Sequence, residues 1–105
     1  MDEQALVDSK PLSGAQRRKL RSLAHHLQPV VLVGHKGVTG DLLKAVDRAL
    51  LDHELIKIKL LESCPIDRKE VGSSLAGPLS AHDVGVVGRV QILYRAHPKD
   101  PQIVV

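Results

Sequence analysis

Val30-Val31-Leu32-Val33-Gly34-His35-Lys36-Gly37-Val38-Thr39-Gly40-Asp41-Leu42-Leu43 decides how this chain is read. Four apolar residues make a short strand, a polar Gly-x-x-Gly turn follows, and an amphipathic helix begins. Thr39 is the natural N-cap, and Asp41 in the first turn suits the helix dipole. A helix N-terminus carries unsatisfied N–H donors and partial positive charge, so it attracts phosphates. Gly34 and Gly37 let a sugar-phosphate chain approach without meeting a Cβ, and His35 and Lys36 lie between them. The stretch reads as a phosphate-backbone clamp. Because residues 30–33 show no alternation, the strand is expected to be covered on both sides or central in its sheet.

Upstream, Ser13-Gly14-Ala15-Gln16 has the form of a capping box, so a helix opens there. Leu20, Leu23, Ala24 and Leu27 recur at helical spacing as its buried stripe. Arg18, Arg21 and His25 fall together on the far side with Arg17 beside them, and Pro29 stops the helix. Between Ser9 and Gly40 there is no Asp or Glu, while Lys10, Arg17, Arg18, Lys19, Arg21 and Lys36 sum to +6. With a net charge of +3, the remainder carries 3 − 6 = −3. That asymmetry implies one cationic face and a polyanionic partner.

Downstream, Leu42, Leu43, Val46, Ala49, Leu50 and His53 form one face of the second helix, with His53 closing it against the core and Leu51 on the polar side. Residues 55–61 alternate: Ile56, Ile58 and Leu60 face one way, Lys57 and Lys59 the other. A helix between two strands implies a right-handed parallel crossover. A third helix starts at Asp67-Arg68-Lys69-Glu70 and carries Val71, Leu75 and Leu79. Gly72 weakens it, and Gly77-Pro78 should end or kink it. Gly88-Arg89 then joins two strands in a hairpin, where glycine at the first turn position suits type II′. The order α-β-α-β-α-β-β predicts an α/β two-layer sandwich, three helices on a four-stranded mixed sheet.

With 105 residues the chain makes one domain that buries roughly two-thirds of its unfolded surface. The expected divisions are a flexible leader over residues 1–11, a domain over 12–96 and a C-terminal tail over 97–105. A single cysteine, Cys64, excludes an internal disulfide. With no apolar segment near 18 residues and no signal-peptide core at the N-terminus, a cytoplasmic protein without membrane contact is expected.

Three chemistries fail on spacing. Gly34-x-x-Gly37-x-x-Gly40 is not the G-x-G-x-x-G dinucleotide fingerprint, although Glu54 stands where its ribose acid would be. No Gly-Lys-Ser/Thr triplet forms a Walker A loop. The six histidines and Cys64 show no spacing of converging zinc ligands. No nucleophile carries a recognisable motif, so neither an enzyme nor a cofactor is expected.

Three ordered blocks resemble the YhbY/CRM family: Leu27-x-Pro29-Val30-Val31-Leu32-Val33-Gly34-x-x-Gly37-Val38-Thr39, His53-Glu54-Leu55-Ile56-Lys57-Ile58-Lys59 and Val87-Gly88-Arg89-x-x-Ile92-Leu93-Tyr94-Arg95. The resemblance spans about residues 12–95. It implies a non-catalytic RNA-binding module associated with precursors of the large ribosomal subunit. The family's Gly-x-x-Gly loop falls on Gly34, His35, Lys36 and Gly37, and its basic first helix on Arg17, Arg18, Lys19 and Arg21. Lys57, Lys59, Arg89 and Arg95 extend the expected contact set. In two departures, Ser80 stands where a glycine usually follows the third helix, and Gly85 interrupts the third strand. Tyr94, the only aromatic residue of the Phe/Trp/Tyr set, is expected half-buried rather than exposed for stacking. RNA would then be held mainly through phosphates and shape. The rival reading is a protein-interaction adaptor whose basic helix docks an acidic partner.

Overall fold

The computed structural model describes residues 11–105. Helix α1 (Gly14–Ala24) opens on a complete capping box: Ser13 Oγ accepts from Gln16 N at 3.1 Å, and Gln16 Oε1 accepts from Ser13 N at 2.9 Å. Strand β1 (Pro29–Val33) leads through the glycine turn to α2 (Gly40–His53), and β2 (Leu55–Leu60) follows. Helix α3 (Arg68–Leu79) precedes the hairpin of β3 (His82–Val87) and β4 (Val90–Tyr94). The sheet runs β1-β2-β4-β3, with β1 and β2 parallel and the other pairs antiparallel. Helix and strand number, order and mixed sheet are those expected. The leader expected over residues 1–11 lies, apart from Pro11, outside the described residues.

Alternation along β2 and β4 divides the interior. Ile56, Ile58, Leu60 and Leu93 pack with Val46 and Leu50 of α2 and Val71 and Leu75 of α3. Leu55, Ile92 and Tyr94 face the other way, onto Leu20 and Ala24 of α1. The helices therefore divide between both faces. Two layers describe the α2/α3 side, and α1 adds a partial third layer across one end of the opposite face.

Strand β1 is neither central nor doubly covered. It is an edge strand: Val31 and Val33 face the core, while Val30 and Leu32 stand 50% and 59% exposed. An unbroken apolar run does not distinguish a buried strand from an edge strand with one bare apolar face. Two other burial expectations fail at the same margin. Leu23 and Leu27 are exposed, and His53 is exposed rather than closed against the core. All three line a cleft with Val30 and Ile103.

Helix α3 runs through Pro78 and ends one residue later, at Leu79, close to where Gly77-Pro78 is expected to stop it. Ser80 then takes the left-handed conformation, φ 52° and ψ 43°. Ala81 N donates to Ala76 O at 2.9 Å and Ser80 N to Gly77 O at 3.3 Å, a Schellman closure with serine at the glycine position. Gly72 is buried because α3 crosses β3 closely, and a Cβ there would run into the Asp83 carboxylate. Gly85 (φ 145°) marks the register shift of β3, and Gly88 (φ 61°) leads the hairpin turn with Arg89 at negative φ, as type II′ requires.

The C-terminal tail over residues 97–105 is folded back onto the domain. The buried Glu54 carboxylate accepts from His97 N (2.8 Å), Gln102 N (2.7 Å) and Ile103 N (3.1 Å). Ile103 and Val105 pack against the α1 cluster. The acid at the ribose position of a dinucleotide fingerprint is thus engaged with its own backbone.

Candidate nucleic-acid interface

Helix α1 covers Leu55 of β2, Val84 of β3 and Ile92 and Tyr94 of β4, which leaves the Lys59, Val87 and Val90 end of that face open. Two basic borders and two lysines frame the open half. Along α1, Arg17 Nη1 donates to Asp83 O of β3 at 2.6 Å. Arg21 and His25 line a cleft of about 180 Å³ with Lys57, Val87, Val90 and Ile92. Lys57 Nζ donates to His25 O at 3.4 Å, joining strand to helix end. Arg17, Arg21 and His25 therefore flank the sheet instead of pointing away from it. Arg18 and Lys19 are exposed.

Lys59, two residues on from Lys57, projects on the same face about 7 Å farther along β2. It pairs in register with Leu32 on one side and Val90 on the other. Beyond Leu32 lies the glycine turn, so the two lysines bridge the arginines of α1 and the turn across the sheet.

The turn closes through Gly37 N donating to Gly34 O at 3.0 Å, with His35 and Lys36 exposed at its tip. Its two glycines do different work. Gly37 is buried at φ 67°, and its bare side packs against Pro65 and Ile66, where a Cβ would stand 3.3 Å from Pro65 Cγ. Its left-handed backbone and its close packing each call for glycine. Gly34 needs no left-handed backbone, and its Cβ position has only Leu61 Cδ1 nearby, at 3.8 Å. The bare main chain expected at Gly37 occurs at Gly40, the first residue of α2, where nothing lies within 4 Å. Thr39 caps α2 as expected: its hydroxyl accepts from Leu42 N at 3.1 Å.

Arg89 remains at this border, folded across the sheet end, with Nε donating to Leu60 O (3.2 Å) and Nη2 to Leu61 O (3.0 Å). Beside it is a cation the sequence reading passed over. Arg68, read only as a helix starter, is exposed, and its Nη1 donates to Gly88 O at 3.0 Å. Arg89 and Arg68 share a cleft with Leu60, Cys64 and Ile66. Only the hairpin tip, 20 residues away in sequence, brings Arg68 here, so no local signal marks it. Arg95 departs in the opposite sense. It lies behind the sheet, bonded to Asp47 Oδ1 (2.8 Å), Leu79 O (2.9 Å) and Asp47 O (3.2 Å). It belongs to the scaffold rather than to the open face. Tyr94 is buried more deeply than expected and stacks on His82, with ring centroids 6.0 Å apart.

The CRS1/YhbY (CRM) domain matches residues 12–95, the span that builds both borders and the sheet between them. The chain belongs to the CRS1/YhbY family. Among relatives of this CRM domain, Bacillus subtilis YqeI, named a probable RNA-binding protein, is 37% identical over 88% of this chain and 96% of its own. MJ0652 of Methanocaldococcus jannaschii, named likewise, is 41% identical over 82% of this chain and 65% of its own. The solution structure of SAV1595 from Staphylococcus aureus, described as a candidate RNA-binding protein, superposes with a TM-score of 0.70 at 36% identity. That superposition covers 80% of this chain and 88% of SAV1595. Among the described residues of this CRM domain, no group of three or more His, Cys, Asp or Glu could hold a metal ion. No described helix is long and apolar enough to cross a membrane.

Proposed function

We propose that this chain is a non-catalytic RNA-binding protein acting in the cytoplasm on precursors of the large ribosomal subunit. The observation that carries the reading is the open half-sheet. Its borders are basic, Lys57 and Lys59 stand between them, and neither α1 nor the strand positions on that face hold an acid. A polyanion laid from α1 to the glycine turn meets Arg17, Arg21, Lys57, Lys59 and Lys36 in turn, and Arg18, Lys19, His35, Arg68 and Arg89 extend the field. At the turn, Gly34 and the start of α2 offer main-chain N–H groups, with Thr39 holding the helix end in place.

Names carried by YqeI, MJ0652 and SAV1595 support RNA as the class of partner. The ribosomal assignment rests on the family resemblance and is tested separately. In a sedimented lysate, the protein is expected to travel with immature large subunits and leave them when RNase is added. Sedimentation at the top of the gradient, away from every ribosomal precursor, would overturn the assignment.

A further inference from the structure

Leu32 and Val87, at 59% and 63% exposure, are two of the most exposed apolar side chains, and both lie on this same open face. Register makes them part of one line. Leu32 on β1 pairs with Lys59 on β2, Lys59 with Val90 on β4, and Val90 with Val87 on β3. An apolar-basic-apolar-apolar row thus crosses all four strands, between the glycine turn and the arginines of α1. Three strand spacings make it about 14 Å wide, room for two or three bases.

We infer that this row seats unpaired nucleotides, whose base faces lie on Leu32, Val90 and Val87 while Lys59 and the basic borders hold their phosphates. The inference rests on the RNA-binding reading above and specifies the state of the RNA. A paired helix presents phosphates, sugars and groove edges, and its base faces are stacked inside, so nothing on it matches an exposed leucine and two valines. An unpaired strand presents flat, weakly hydrated base faces alongside its charges, which is the pattern of this row. Charge complementarity favours a nucleic acid over an apolar protein segment, because every charged side chain on the row and its α1 border is cationic. None of the three apolar side chains can donate or accept a hydrogen bond, so the row holds any base and reads none. That differs from the phosphate-and-shape binding expected from the scarcity of aromatic residues.

The test uses the full chain and three fluorescent probes of equal charge: an unpaired RNA of about 12 nucleotides, its abasic analogue, and a hairpin of the same length. The wild type is expected to bind the unpaired strand roughly fivefold more tightly than the abasic strand or the hairpin. In the Leu32→Ser/Val87→Ser variant that preference disappears, while abasic binding and the salt dependence stay unchanged. Leu32→Phe, which enlarges the platform at an exposed position, is expected to raise affinity for the unpaired strand only. Equal wild-type affinity for unpaired and abasic strands overturns the inference and leaves RNA binding standing. So does an undiminished preference in the serine variant, which would mean that the bases rest elsewhere on the protein. Failure to bind any of the three probes at low salt overturns the RNA-binding reading itself.

Discussion

Arg95 and Asp47 form an ion pair at 2.8 Å on the side of the sheet covered by α2 and α3, with the arginine side chain only 17% exposed. The same guanidinium also holds Leu79 O, tying the end of α3 to α2 and the last strand. A cation so placed contributes to stability and not to the open face. Arg95→Ala is expected to lower unfolding free energy by about 1–2 kcal/mol, from the lost hydrogen bonds to Asp47 and Leu79 O. RNA affinity measured below the shifted melting temperature should not change. A several-fold loss of affinity in a folded variant would return Arg95 to the interface.

Gly34 and Gly37 separate in the same way. Gly34→Ala is expected to keep the melting temperature within a degree or two and weaken RNA binding several-fold, because its Cβ would stand where main chain meets phosphate. Gly37→Ala should instead destabilise the fold by about 1–2 kcal/mol, from the left-handed backbone and the contact with Pro65. Paired melting and fluorescence-anisotropy titrations distinguish the two, and identical behaviour of the variants would contradict the division of labour.

At the end of α3, a non-glycine residue holds a left-handed conformation with no side-chain hydrogen bond to compensate among those found for Ser80. Ser80→Gly is expected to stabilise the protein by about 0.5–1 kcal/mol. Urea denaturation measures this directly; a loss of stability would mean that the serine hydroxyl contributes more than the backbone costs.

Glu54 anchors the final residues through three backbone N–H groups. Removing its carboxylate in Glu54→Ala should cost about 2–4 kcal/mol. Hydrogen exchange at His97, Gln102 and Ile103 should accelerate more than exchange in β2 or β4. Uniform acceleration across the sheet would show that the anchor is inseparable from the global fold.

Local rules carried much of this structure. The Ser13/Gln16 box, the Thr39 cap, the β2 alternation and the Gly88 turn each depend on residues within a few positions of one another, and each stands where expected. What escaped depends on neighbours distant in sequence. Whether residues 30–33 are covered is decided by β4 lying on the far side of β2, which makes β1 an edge. The turning of Arg95 away from the open face is set by Asp47, 48 positions away. Arg68 joins the basic border only through the hairpin tip. Gly37, a ligand glycine by motif, also packs against Pro65 and Ile66, a contact its motif does not announce.

The basic face is tested most directly by the salt dependence of RNA affinity in the wild type and in Lys57→Ala/Lys59→Ala. Contact with about four to six phosphates gives a slope of log affinity against log salt of about −3 to −5. Removing both lysines should make that slope shallower by about 1.5 to 2, while Arg95→Ala leaves it unchanged. A double-lysine variant that folds and keeps the wild-type slope would contradict a phosphate track across the open sheet.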